Sequence, residues 1–226
     1  MRKKEKYERI IDYFQTTMPE VETELRYDTP FQLLVAVILS AQCTDKRVNL
    51  VTPALFQRYP TAASMASASA SDILPFISSV SYPNSKADHL AGMAHMLMGQ
   101  FGGEVPSDLD DLVRLPGVGR KTANVVQAVV FNKAAFAVDT HIFRVAHRLG
   151  LVGERATTPY AVERELTRQF PDELIPRAHH WLLLHGRYVC QSRRPKCEGC
   201  GIRDICKHYL KTQESVYLPT TTLKVK

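Results

Sequence analysis

The chain has little of what marks a membrane or secreted protein. Its longest apolar run, residues 33–39, falls far short of the roughly 20 residues needed to span a bilayer. Met1-Arg2-Lys3-Lys4-Glu5-Lys6 opens an acidic and basic helical pattern rather than the apolar core of a signal peptide. Only five cysteines occur in 226 residues, and four of them crowd together, so no dispersed disulfide framework is expected. No segment alternates convincingly as a strand. The best β-like stretch, residues 135–138, is very short. Long linkers are lacking too. What remains is an all-α, cytoplasmic protein built from many short helices.

The composition that is present is that of a soluble globular chain, 45% hydrophobic and 23% charged. The length suffices for one good core or two modest ones. Lys and Arg exceed Asp and Glu by 29 to 23, a net charge of +6, which suits an anionic partner.

Helical signals run the length of the chain. Residues 3–16 form an amphipathic pattern, and residues 31–39 are apolar on nearly every face, as in a buried central helix. A polar break at residues 40–45 follows, with Thr44 or Asp45 placed to cap a helix from about Lys46. Pro53 is expected to kink or split that helix. Residues 67–72 read as a helix-to-helix turn. Residues 81–85 read as a turn, with a helix from Lys86 to about Gln100. Ser107 or Asp108 caps a short helix ending at Arg114. Further helices are expected over 120–131 and 140–149, after Thr158-Pro159, and near Pro176.

Leu115-Pro116-Gly117-Val118-Gly119-Arg120-Lys121-Thr122-Ala123 carries the most information. It reads as a tight glycine turn opening a helix, with two cations in the first turn. Cations are disfavoured at the positive end of a helix, so Arg120 and Lys121 call for a reason. Backbone N–H groups at such a turn can hold an anion, and the cations strengthen the hold. The helix, Leu-Pro-Gly-Val-Gly, helix pattern is that of a helix-hairpin-helix, which grips a nucleic-acid phosphate without reading sequence. Lys121 adds a candidate amine nucleophile. Asp139, eighteen residues on in Ala137-Val138-Asp139-Thr140-His141, is a candidate partner for that amine. Asp is also a favoured N-cap, and that plainer role fits the same position.

The cysteines fall as Cys190-x6-Cys197-x2-Cys200-x5-Cys206, with Cys43 alone and expected to be a small buried side chain. Four thiolates in so short a loop suit zinc or an iron–sulfur cluster, and spacing alone does not separate the two. The loop between the first two cysteines holds Arg193, Arg194 and Lys196. His179-His180-Trp181 reads as packing and surface rather than a metal site.

Taken together, the chain closely resembles the endonuclease III family of DNA glycosylases. The resemblance rests on Pro30-Phe31-Gln32-Leu33-Leu34, Leu39-Ser40-Ala41-Gln42, Asn84-Ser85-Lys86-Ala87, residues 115–126, 138–145 and 180–188, and the cysteine spacing, and it extends over residues 19–208. It implies a two-lobed all-α fold. One lobe would be a six-helix barrel over residues 22–132, and the other would combine residues 1–21 with 133–226, DNA lying across the cleft between them. The implied activity is a bifunctional glycosylase and abasic-site lyase acting on oxidised pyrimidines in double-stranded DNA. Lys121 matches the family's Schiff-base lysine, Asp139 its catalytic aspartate, and Cys190, Cys197, Cys200 and Cys206 the ligands of a [4Fe–4S] cluster. DNA contacts are expected from Gly117, Val118, Gly119, Arg120, Arg193, Arg194 and Lys196. The protein is expected to act at the nucleoid, as a monomer. Adenine-mismatch glycosylases of the superfamily lack an equivalent of Lys121. A monofunctional glycosylase and a non-catalytic DNA-binding protein are the competing readings.

Two positions concern the gap left by a flipped nucleotide. Gln42 stands where the family inserts a glutamine. Tyr82 falls where its best-known members carry a leucine wedge, and an aromatic ring can also intercalate. Val113 replaces an acidic residue found near the lysine in some relatives. Ser40, Thr140 and His141 are plausible pocket neighbours.

Overall fold

The computed structural model describes residues 1–217 and is helical throughout, with no strand among the described residues. The chain divides into two compact units, residues 22–137 and residues 1–21 with 138–226.

Helix α1 (Lys3–Thr17) belongs to the second unit, and α2 (Pro30–Ser40) opens the first. Thr29 caps α2 by accepting the Gln32 N–H, and Pro30 starts it. Every residue from Phe31 to Leu39 is buried, as the unbroken apolar run requires. Burying each large aliphatic side chain here contributes roughly 1.5–3 kcal/mol. The one polar member, Gln32, is satisfied: its Oε1 accepts the Asp28 N–H at 2.7 Å.

Helix α3 (Asp45–Arg58) is capped by Thr44 and runs unbroken through Pro53. The expected split does not occur, because Val48, Thr52 and Leu55, on both sides of the proline, are buried and hold the two halves in place. Two short helices, α4 (Ala62–Ala66) and α5 (Ala70–Ile77), each begin with a capping box. The turn between them is therefore shorter than residues 67–72. Helix α6 (Pro83–Gln100) starts three residues before Lys86, since Pro83 at N1 is pre-set for helix.

Helices α7 (Leu109–Arg114, capped by Asp108) and α8 (Arg120–Phe131) flank the glycine turn. The core of this unit extends from Leu25 to Val126 around α2. Past α8 the chain stays with the same unit: the Asn124 amide donates to the Phe136 carbonyl at 2.9 Å, and Phe136 is fully buried. The unit thus ends at residue 137 rather than 132.

The second unit contains α9 (Thr140–Leu149), α10 (Pro159–Thr167, capped by Thr158), α11 (Ile175–Tyr188) and α12 (Lys207–Tyr217). Single 3-10 turns lie at Asp172–Leu174 and Arg203–Ile205. Helix α1 is built into this unit. Its Phe14 stacks on Trp181 at 5.8 Å, the Trp181 indole donates to the Met18 carbonyl at 2.8 Å, and the Tyr7 hydroxyl donates to the Leu151 carbonyl at 3.0 Å. His179 and His180 are both buried, so this triplet packs inside the unit rather than at its surface. No helix is long and apolar enough to cross a membrane among the described residues.

Candidate active site and cysteine loop

In the unit of residues 22–137, Gly117 takes φ +80°, and a Cβ there would lie 2.9 Å from His89 Cβ. Only glycine fits, on both counts. The turn is closed by the Val118 N–H donating to the Leu115 carbonyl at 3.0 Å, and the Val118 side chain is buried. Val118 therefore holds the turn together, and its own N–H is engaged. Gly119 differs: it has an ordinary backbone conformation, and a Cβ there would meet nothing within 4 Å. It faces open space at the N-cap position of α8, where it supplies no side-chain cap. The first turn of α8 carries no acidic residue, so its backbone N–H groups keep their attraction for an anion. Lys121 is exposed in this turn.

The break after α2 and the start of α6 come together in this unit. Gln42 and Tyr82 are both exposed and both left-handed, at φ 54° and 55°. The Ser81 hydroxyl donates to the Gln42 carbonyl at 2.8 Å. Ser40 is half-buried, its hydroxyl donating to the Val37 carbonyl. Cys43 is half-buried against the core rather than enclosed. Val113 is exposed.

In the other unit, Asp139 is the N-cap of α9, its Oδ1 accepting the Ile142 N–H at 2.8 Å. The plainer reading of Asp139 is therefore real. Capping does not displace a chemical role, since it fixes the carboxylate at the head of the helix. His141, near the same end, pairs its Nδ1 with Arg144 at 3.1 Å.

The four clustered cysteines line one cavity, together with His185 and Lys196. Cys190 and Cys206 are buried, Cys197 and Cys200 half-buried. Burial raises the Cys197 thiol above its ordinary pKa, and neighbouring Cys206 and Cys190 push it further. Cys200 is raised in the same way. A cationic centre in the shared cavity would favour the thiolate at Cys197 and Cys200. The Arg148 guanidinium lies 3.6 Å from Cys190 Sγ, and His185 Nε2 lies 3.9 Å from Cys200 Sγ. Among the described residues no group of three His, Cys, Asp or Glu side chains is placed to hold a metal ion.

The loop after Cys190 is anchored from α9. Arg148 donates to the Gln191 and Ser192 carbonyls at 2.7 and 2.8 Å, and Arg144 to those of Gly186 and Cys190 at 2.8 and 3.0 Å. These anchors leave Arg193, Arg194 and Lys196 exposed and outside the described ion pairs. Other cations of this segment are engaged: Arg203 with Glu198 and Lys207 with Glu154, each at 3.0 Å.

Sequence reasoning missed Arg144 and Arg148, and it missed that the Lys86 ammonium donates to the Leu39 and Ala41 carbonyls at the end of α2. The first two are four apart on α9 and so share a helix face, a signal that was present. Lys86 carried no such signal, because these bonds depend on α2 and α6 meeting.

A model of the HhH-GPD superfamily of base excision DNA repair proteins matches residues 35–172. The chain belongs to this superfamily, and to the endonuclease III family within it. Endonuclease III of Rickettsia felis (strain ATCC VR-1525 / URRWXCal2) is 43% identical over 89% of this chain and 93% of its own length. That of Escherichia coli (strain K12) is 41% identical over 88% and 93%. A trapped Endonuclease III–DNA covalent intermediate superposes with a TM-score of 0.87 at 38% identity, covering 94% of this chain and all of that one. A thermostable thymine-DNA glycosylase matches at 0.81 with 26% identity, over 92% and 97%.

Proposed function

We propose that this HhH-GPD protein is a bifunctional DNA glycosylase and abasic-site lyase for oxidised pyrimidines in duplex DNA, with Lys121 as nucleophile. The observation that carries the reading is an exposed lysine in the uncapped first turn of α8, directly after a glycine turn whose Gly119 backbone opens to solvent. A phosphate held there keeps a sugar within reach of an amine.

In its amine form, Lys121 attacks C1′, and the bond from C1′ to the base breaks, the base leaving with the electron pair. The attached nitrogen gives up a proton, the C1′–O4′ bond opens with O4′ taking up a proton, and the resulting protein–sugar iminium acidifies a C2′ hydrogen. Its removal expels the 3′ phosphate and cuts the strand. Asp139, fixed by its own cap bond, stabilises positive charge on the sugar or carries protons. Gln42 and Tyr82 fill the space vacated by the flipped nucleotide. Gly117, Gly119 and Arg120 in the hairpin, and Arg193, Arg194 and Lys196 in the cysteine loop, contact phosphates.

Cys190, Cys197, Cys200 and Cys206 would hold a [4Fe–4S] cluster. The all-thiol donor set fits, as do the cavity that the four cysteines share and the Arg148 guanidinium, which favours the thiolate form of Cys197. When bound, such a cluster cross-links four points of the loop and adds a one-electron redox centre.

The reading is tested by borohydride trapping on duplex DNA carrying thymine glycol or an abasic site. A covalent adduct is expected with the native chain and none with Lys121→Ala. Base release without any adduct would favour a monofunctional glycosylase, and intact DNA a non-catalytic binding protein. Iron and a broad visible absorption band in anaerobically purified protein are expected, and zinc in their place would overturn the cluster assignment.

A further inference from the structure

Lys86 is buried at 5% exposure, although it lies in the first turn of α6, where a cation meets the wrong end of the helix dipole. Its ammonium does not turn outward. It donates to the carbonyls of Leu39 and Ala41, each at 2.8 Å, at the end of α2. Those carbonyls belong to the negative end of a different helix, where a cation is favoured and free carbonyls need donors. Lys86 therefore joins the C-terminus of α2 to the N-terminus of α6. The bond from Ser81 to the Gln42 carbonyl joins the same two segments from the other side. The Lys86 N–H also donates to the Tyr82 carbonyl at 3.1 Å.

The two residues enclosed by these ties are Gln42 and Tyr82. They are two of only three non-glycine residues with positive φ among the described residues. Such a conformation is unfavourable for a residue with a side chain, and it persists only where surrounding contacts enforce it. Here the enforcing contacts are identifiable, and both strained side chains project to solvent rather than into the core.

We infer that Lys86, with Ser81 in support, is a positioning residue that locks Gln42 and Tyr82 into one preset gap-filling pair for opening duplex DNA. The inference rests on the proposed role of those two side chains. A preset pair enters the stack without first losing conformational freedom. The lock therefore assists the step in which a nucleotide leaves the duplex, and leaves the chemistry at Lys121 alone.

The test compares one abasic strand, with and without its complement, under single-turnover conditions. Lys86→Met keeps the bulk and leaves both carbonyls without their charged donor, a loss that corresponds to a factor of about ten or more. The expected result is a fall of that size in strand cleavage of the duplex, with cleavage of the single strand lowered far less. Lys86→Arg, which can still donate to both carbonyls, should recover much of the duplex rate. Ser81→Ala, which removes only a hydroxyl at a half-buried position outside the core, should show the same selectivity to a smaller degree. A 2-aminopurine placed opposite the lesion should report slower duplex opening in both weakened variants. Equal losses on the two substrates with unchanged opening, or unchanged rates on both, would overturn the inference. Should Lys86→Met fail to fold, Ser81→Ala and the fluorescence signal decide. Inactivity of the native chain on the duplex would instead count against the proposed function.

Discussion

Asp139 Oδ1 accepts the Ile142 N–H at 2.8 Å, so a residue with an expected chemical role also starts the helix that carries it. The two roles separate by substitution. Asn caps helices as well as Asp does, whereas Ala loses about 1 kcal/mol. Asp139→Asn should therefore melt close to the native chain while losing about a hundredfold or more in base release, a loss typical of removing a charge-stabilising group. Asp139→Ala should lose activity and melt lower. Undiminished base release in Asp139→Asn would leave Asp139 as a cap alone.

The two glycines of the hairpin should fail differently. Gly117→Ala forces a Cβ to within 2.9 Å of His89 at a positive φ, so a drop in melting temperature is expected. Gly119→Ala meets nothing in the protein, so stability should hold while affinity for undamaged duplex falls. Calorimetry and fluorescence anisotropy on both variants check this. Equal affinity for Gly119→Ala would mean that no phosphate approaches that backbone.

Neutralising Arg193, Arg194 and Lys196 together should flatten the salt dependence of duplex binding. If each meets a phosphate, the slope of log affinity against log salt becomes smaller by about 0.9 per residue. Binding isotherms over a range of salt concentrations give the slope. An unchanged slope would make these three charges ordinary surface.

Glu165 gives a pH dependence with a defined sign. Burial raises its carboxyl, but the Gly153 N–H at 3.0 Å and Lys3 at 3.2 Å outweigh burial and hold it below the ordinary glutamate value of 4.5. The stability it contributes is present above that ordinary value and is lost as pH falls through the lower, folded one. Glu165→Gln should make the acid side of the stability profile shallower, measured by urea unfolding between neutral and acid pH.

Much of this molecule was legible in advance because its helices are punctuated by strong local chemistry. Asp139 and Thr158 cap where their sequence neighbours indicate, and the structure selects Thr44 over Asp45 and Asp108 over Ser107. The hairpin followed from two glycines whose different duties, conformation at Gly117 and open access at Gly119, lie within three residues. Long-range pairings were not legible. Nothing near Lys86 announces that its acceptors lie 45 and 47 positions away. Pro53 misled for a related reason: the local breaking signal was outweighed by burial of the residues flanking it.

The stacking of Phe14 on Trp181 also bears on the order in which the chain is made. At 5–20 residues per second, roughly ten to thirty seconds of synthesis separate these two rings. A fifteen-residue helix standing alone in water is marginal. During that interval residues 22–137 can condense around α2, while the first twenty-one residues wait without their partners. On the ribosome, a segment made well before its partners would be among the last to find its place.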